Sequence, residues 1–349
     1  MKILVTGGLG FLGSHLVQAL AVEHSVIVVD PGLKRGHSGR AVDVVHSLGP
    51  ARVVAGRGFV FGTCAAPGLV EWHRKQSRYV GEIMGSNLVE LDQIYHLGHI
   101  ASPTGYRAAP LESLRAGSLG THAVAKLAQE TGARLLMAST SEVYGDPEVH
   151  PQVESYRGNV DPIGPRSCYD ESKRYAEAYL ASFAVERKVD VRIARIFNTF
   201  GRGMGLDDGR MIPAFMRAAF MGEPLQVHKP GTQTRTLCWV NDMVHGLIAL
   251  MNSGHWRLTD PEEVYPINLG GDVEVTVQEV AGEIAQQVSL LTGKTPQIQW
   301  VAQPDSQDPK VRRPDITRAR EILNWHPCIG WKEGIARTVA HEFKLFSRD

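Results

Sequence analysis

The chain has 349 residues, 43% of them apolar and 21% charged, with Lys plus Arg and Asp plus Glu both at 37. That length allows one large α/β domain with an added lobe and a sizeable core. A zero formal charge without a basic stripe argues against a nucleic-acid or membrane-surface partner, and neither is expected.

The first strand reads from the opening residues, which leaves no room for a signal peptide, and no apolar run approaches a membrane span. The four cysteines, Cys64, Cys168, Cys238 and Cys328, are far apart and form no CxxC pair. They read as reduced thiols, with neither a disulfide frame nor a zinc site. The expectation is a soluble, cytoplasmic protein that holds no metal.

Taken in chain order, "MKILVTGG" is a short apolar run closed by glycines, and "FLGSHLVQALAVEH" carries helical apolar spacing. "SVIVVD" is again a strand, so the chain opens as β-α-β, the signature of a parallel sheet. Residues 31–77 are rich in Gly, Ala, Val and Arg with poor periodicity, an excursion for which the sequence predicts no elements. Strands follow at 92–97, 133–139 and 189–197, separated by helices at 111–130 and 170–187. Beyond Gly201 short strands such as "LQVHK" and "YPINLGG" mix with helices, one opened by Thr276 and Glu279 as a capping box. The predicted fold is α/β: a Rossmann-type doubly wound parallel sheet over 1–200, with a smaller α+β lobe over 201–349. Some of the later chain is expected to return to the first domain.

"TGGLGFLG" places Gly7, Gly10 and Gly13 at a strand-to-helix junction. Glycines there permit a tight turn, close approach of a pyrophosphate and close packing of helix on sheet. The phosphates would meet free N–H groups at the positive end of the helix dipole. Asp30 ends the second strand, where a carboxylate accepts from both hydroxyls of a ribose and repels a 2′-phosphate. That favours NAD over NADP. Asp30 alone would read as a strand-end turn residue, and the β-α-β setting decides otherwise.

"STSEVYG" ends an apolar strand with Ser139, Thr140, Ser141 and Glu142, either a solvated turn or the edge of an active site. "CYDESKRYAEAY" puts Tyr169 and Lys173 four apart, on one helix face. Tyr-x-x-x-Lys alone is usually two surface residues. Beside the glycine loop it reads as a proton-transfer pair, in which the ammonium lowers the tyrosine's pKa so that it can take a proton from a sugar hydroxyl.

Through "TGGLGFLG", "STSEVYG" and "YDESK" the chain resembles the extended short-chain dehydrogenase/reductase family. Within it, the chain is similar to the branch that converts UDP-glucuronate to UDP-xylose. "GARLLMASTSEVYGDPEVHPQ", "DPIGPRSCYDESK", "VRIARIFNTFG", "TQTRTLCWVNDMVHGLIALMNS" and "RRPDI" carry that likeness. The resemblance implies NAD as cofactor, a UDP-sugar as substrate and a homodimer built on the helices at 111–130 and 170–187. It implies Thr140, Tyr169 and Lys173 as a catalytic triad, with Ser141 and Glu142 facing the C5–C6 side of the sugar. It adds Phe11, Leu12, Glu82, Ile83 and Leu97 to the cofactor side, and Tyr106, Asn198, Arg210 and Arg235 to the substrate side. Arg312 is implied near the glucuronate carboxylate, although from the residues alone Arg312 and Arg313 read equally well as a solvated charge pair.

The implied reaction oxidises C4, loses CO2 from the resulting β-keto acid, protonates C5 and reduces C4 again. Related 4,6-dehydratases carry Asp-Glu where this chain has Ser141-Glu142, which favours decarboxylation over dehydration. A UDP-glucuronate 4-epimerase and, more distantly, a non-catalytic dinucleotide sensor are the alternatives. Departures from the family pattern fall at Arg202-Gly203, His228, Gly117, His99 and the Glu82-Ile83 pair. Gly117 is expected to cost about 1 kcal/mol of helix preference unless it serves a turn or packing role.

Overall fold

The computed structural model describes residues 1–30, 52–54, 90–254, 265–302 and 311–347. The chain opens with β1 (Lys2–Thr6), α1 (Phe11–Leu20) and β2 (Ser25–Val29), followed by β3 (Arg52–Val54) and β4 (Gln93–His96). Next come α2 (Pro103–Ala108), α3 (Pro110–Arg115), a π-helical turn (Ala116–Gly120), α4 (Thr121–Thr131) and β5 (Arg134–Thr140). A 3-10 turn (Ser141–Tyr144) leads to α5 (Ser167–Arg187), β6 (Val191–Ile196) and β7 (Thr199–Phe200). The later chain forms α6 (Met211–Met221), β8 (Leu225–His228), β9 (Thr234–Thr236), β10 (Cys238–Trp239), α7 (Val240–Asn252) and β11 (Ile267–Leu269). It closes with β12 (Glu274–Thr276), α8 (Val277–Thr292), β13 (Ile298–Val301), α9 (Thr317–Leu323) and α10 (Trp331–Phe346).

Seven strands form one sheet in the order β11-β6-β5-β4-β1-β2-β3, every neighbouring pair parallel. The strand order reverses between β1 and β4, and ligands of open α/β sheets bind beyond the carboxyl ends at that point. Alternation along β1 explains how both faces are covered. Ile3 and Val5 face one way, onto Leu16, Val17 and Leu20 of α1 and Leu247 and Leu250 of α7. Leu4 faces the other way, onto a core with Val124 and Ala128 of α4 and Ala176 and Leu180 of α5. A separate core built on Phe215, Leu225, Trp239, Ile284 and Ile335 holds the smaller lobe together.

Two elements differ from the sequence expectation. The "YPINLGG" strand, grouped above with the lobe, is β11 at the edge of the main sheet, paired with β6. The chain returns there because α7 carries an apolar face that covers α1. The helix expected at 111–130 is broken into α3, the π-helical turn and α4. Gly117 sits in that turn, where an added Cβ would lie 2.6 Å from the Ser172 side chain and 2.7 Å from its carbonyl oxygen. The glycine is therefore matched to the close approach of α5. The capping box forms as expected, with Thr276 and Glu279 each bonding the other's backbone N–H. Of the excursion at 31–77, Asp30 precedes it and β3 lies within it; the rest is outside the described residues, as are Cys64, Glu82 and Ile83.

Candidate active site

At the carboxyl end of β1 the glycine loop is compressed against itself. Gly7 has φ of +71°, and a Cβ on Gly13 would stand 2.0 Å from the Gly7 carbonyl oxygen. Only glycine permits this turn of strand into helix. Gly10 donates its N–H to Gly7 at 3.1 Å and caps α1 without a side chain. The Asp30 carboxylate accepts the Leu9 N–H at 3.1 Å, so it lies against the loop at the end of β2. Phe11 and Leu12 open α1 half-buried against the lobe core, and Leu97 follows β4 with its N–H on the Thr6 carbonyl. This backbone cradle, a helix N-terminus and an acid at the neighbouring strand end fit a dinucleotide at residues 7–13, 30 and 97.

Beyond β4 and β5 the side chains take over. Tyr169 is stacked on Tyr106, with ring centroids 5.1 Å apart, and meets His99 edge-on at 5.1 Å. His99 is held in turn by the Ser172 hydroxyl at 3.0 Å. Thr140, the last residue of β5, hydrogen-bonds Tyr169, and its hydroxyl also accepts the Glu142 N–H at 3.3 Å. Lys173 donates to the Ala138 carbonyl at 2.7 Å. Thr140, Tyr169 and Lys173 are thus brought to one place, but their electrostatics depart from the expectation. The Tyr169 phenol is pushed up by burial, which outweighs its hydrogen bond with Thr140. Lys173 is itself brought down to about 7 by burial, against the pull of Glu177. Folding alone therefore does not lower the tyrosine, because the ammonium is desolvated along with it.

Glu142 occupies the centre of a charged frame. Arg312 grips it with two nitrogens, at 2.6 Å and 2.9 Å, and Arg166 reaches the same carboxylate. Such a planar fork suits guanidinium and carboxylate. Arg312 arrives from far along the chain because Gln152 pairs with the segment that carries it. The Gln152 N–H donates to the Arg313 carbonyl, its side-chain oxygen accepts the Arg313 N–H, and its carbonyl accepts from Asp315, each at 2.8 Å. Tyr144, at the end of the 3-10 turn, is fixed between Arg195 at 2.9 Å and Asn268 of β11 at 2.7 Å. The same Arg195 forks onto Glu177, which also accepts from Ser139 at 2.5 Å.

The remaining expected residues lie around this frame. Ser141 is buried in the 3-10 turn, and Tyr106 is buried with its hydroxyl lacking a hydrogen-bond partner among the described residues. Arg210 pairs with Asp208 at 2.9 Å, and its charge reaches Tyr169. Arg235 is buried in β9, donating to the Thr234 carbonyl at 2.8 Å, and its neighbour Thr236 bonds the Arg312 carbonyl. Asn198 is half-buried between β6 and β7 and offers its carbonyl to Cys238. His228 is exposed on β8. Arg202 and Gly203 brace the lobe: the Arg202 carbonyl meets His15 at 2.9 Å, and the Gly203 N–H donates to Glu342 at 2.7 Å. Two residues of the frame, Arg166 and Asp170, were not singled out from the sequence. The sequence offers them only as an i,i+4 Arg/Asp pair overlapping the start of the Tyr-x-x-x-Lys motif, a spacing common on helix surfaces. Among the described residues no group of three His, Cys, Asp or Glu could hold a metal ion.

A glycine cradle at the switch point and a Thr-Tyr-Lys cluster beside it define a dinucleotide-dependent enzyme of the short-chain dehydrogenase type. The chain belongs to the NAD dependent epimerase/dehydratase family, whose model matches residues 3–273. It is 41% identical over 350 residues to UDP-glucuronic acid decarboxylase 1 of Danio rerio, covering 100% of this chain and 73% of that one. It is likewise 41% identical to UDP-glucuronic acid decarboxylase 6 of Arabidopsis thaliana, over 99% of this chain and 89% of that one. In fold it is similar to UDP-glucuronic acid 4-epimerase from Bacillus cereus in complex with UDP-glucuronic acid and NAD, with a TM-score of 0.77, 20% identity, and coverage of 99% and 100%. UDP-glucose 4-epimerase from Thermotoga maritima superposes with a TM-score of 0.76 at 24% identity, covering 99% of each chain. Among the described residues no helix is long and apolar enough to cross a membrane.

Proposed function

We propose that the chain is an NAD-dependent UDP-glucuronate decarboxylase that forms UDP-xylose. The observation that carries this is identity of about 40% to UDP-glucuronic acid decarboxylases over essentially the whole chain. The charge frame is in keeping with the same chemistry: Arg312 and Arg166, both held on Glu142, supply guanidinium groups of the kind a glucuronate carboxylate pairs with. Buried polar atoms without partners at Tyr106, Asp170 and Thr236 fit a polar ligand at this place.

NAD, when bound in the cradle, supplies a positively charged ring and reversible two-electron oxidation of the sugar's C4. Tyr169 takes the C4 hydroxyl proton only as a phenolate, a form that burial disfavours in the unliganded site and that the positive ring of bound NAD would favour. Thr140 is its hydrogen-bond partner and Lys173 stands one turn on along the helix. Loss of CO2 breaks the C5–C6 bond and leaves its electron pair on C5 and the C4 oxygen. Thr140 and Tyr169 hold that oxygen. Glu142 and Ser141 organise the proton that C5 then receives, and Arg312 keeps Glu142 in one orientation. The two electrons taken from C4 would then return to it as hydride, and its oxygen regains the proton held by Tyr169, which gives UDP-xylose. Residues 1–200, with β11 added at the edge of the sheet, hold the dinucleotide; Asn198 at the end of that domain and Arg210 and Arg235 of the later lobe hold the UDP-sugar.

The deciding experiment is incubation with UDP-glucuronate and substoichiometric NAD, reading CO2 release and product mass. UDP-xylose in excess over NAD is expected. Product that keeps its carboxylate would make the chain a 4-epimerase instead.

The working unit is inferred to be a homodimer. His122 stacks on Tyr179 at 3.9 Å, and Tyr175, 44% exposed, and Phe183 continue an aromatic stripe along α4 and α5. Light scattering that reports a monomer across working concentrations would remove this part. A cytoplasmic setting is supported by free thiols at Cys168, Cys238 and Cys328.

A further inference from the structure

Asp170 is a carboxyl that the chemistry above leaves unused. It is 5% exposed, in the first turn of α5, directly after Tyr169. Its Oδ2 lies 3.8 Å from Arg166, beyond hydrogen-bonding reach, and its Oδ1 has no partner among the described residues. The reason is visible in the frame. Arg166 turns its terminal nitrogen to Glu142, and Arg312 spends both of its own on the same carboxylate. Two carboxyls share two arginines, and Glu142 holds the better geometry.

The groups facing Asp170 come from three segments and from its own helix. Glu142 and Arg312 approach from the 3-10 turn and the C-terminal segment, and Tyr106 from α2. Cys168, Tyr169 and Glu171 lie beside it on α5, and Arg166 immediately precedes that helix. Burial first, and then Glu142, raise the Asp170 carboxyl to about 7, against the opposing pull of Arg166 and Arg312. With Asp170 ionised, the two arginines are already neutralised, and an incoming carboxylate adds a net negative charge to a buried site. With Asp170 protonated, the frame carries the single positive charge that such a ligand needs.

We propose that Asp170 is a specificity-determining residue which takes up a proton when a carboxylate-bearing UDP-sugar enters, so that charged and neutral UDP-sugars respond differently to pH. The proposal depends on UDP-glucuronate being the substrate. By linkage, affinity for UDP-glucuronate falls as pH rises above neutral, by up to about tenfold per pH unit until the bound-state value is passed. UDP-xylose, the same sugar without its carboxylate, lacks this dependence. Lys173 also titrates near neutrality, so the proton is assigned to Asp170 by the Asp170→Asn substitution and not by the difference between the ligands alone.

The test is calorimetric titration of the NAD-loaded Tyr169→Phe protein, which cannot begin the reaction, with each UDP-sugar. Two buffers of different ionisation enthalpy count the protons taken up just above neutral pH. More proton uptake with UDP-glucuronate than with UDP-xylose is expected, and the added substitution Asp170→Asn should erase the difference. Equal uptake for the two ligands overturns the proposal without reference to any Asp170 variant, and so does a difference that survives Asp170→Asn. Failure to bind UDP-glucuronate while NAD still binds would instead remove the substrate assignment itself, and the proposal with it.

Discussion

The two ends of the active site are built from opposite materials. The cradle at residues 7–13 is backbone, shaped by what is missing: side chains at Gly7 and Gly13 have no room. The frame around Glu142 is side chain, assembled from a turn, a helix start and a late segment, with charge balanced by mutual contact. A site made of backbone is damaged by adding atoms, and a site made of charges is damaged by removing them. The two should also fail separately, one in cofactor affinity and the other in chemistry and stability.

The largest expected effect is at Tyr169, which belongs to neither end but joins them. Tyr169→Phe should lower turnover by about a hundred- to ten-thousand-fold, with NAD and UDP-glucuronate binding retained and no 4-keto sugar in a single-turnover assay. Glu142→Ala should differ in kind by releasing some 4-keto sugar, and equal silence in both variants would give Glu142 a purely positioning role.

Arg312→Ala leaves a buried carboxylate with one arginine fewer, and denaturant titration should show a loss of about 3 kcal/mol, the low end for a broken buried pair because Arg166 remains. Its neighbour Arg313 is 41% exposed and 3.5 Å from Glu274, so Arg313→Ala should cost at most about 1 kcal/mol. Equal losses would deny that the two arginines have different surroundings.

A pH series probes the desolvation common to the frame. Folded Lys173 releases its proton at about 7, and the unfolded chain near 10.5. Between those values the unfolded chain binds more protons, so stability rises with pH over that window. Lys173→Met should flatten the rise in melting temperature, and an unchanged slope would place the titration elsewhere.

The smallest structural change, one methyl group at Gly13, should cost about 1–3 kcal/mol through overpacking. Calorimetry should then show NAD weakened while UDP binding stays near the wild-type value.

What could be read in the sequence follows the same division. The glycine loop, the strands at 92–97, 133–139 and 189–197, and the capping box at Thr276 were legible because each depends on residues close in sequence. The Tyr169–Lys173 spacing placed both on one helix face, but the sign of the tyrosine's shift was not legible, since burial is a property of the assembled fold. Arg166 and Asp170 were likewise hidden, because an i,i+4 pair reads as a surface pair until Glu142 is brought against it. The break at Gly117 needed α5 in place before its cause could be seen.

Arg312 and Arg313 are identical neighbours, and in extended chain adjacent residues point to opposite sides. Which of the two becomes the partner of Glu142 is settled by Gln152, buried and bonded to the Arg313 backbone across 161 positions of chain. A slip of one residue would exchange the twins while leaving the composition of the segment untouched. The active-site charge is in that sense an address, written by one distant amide and invisible in the doublet itself.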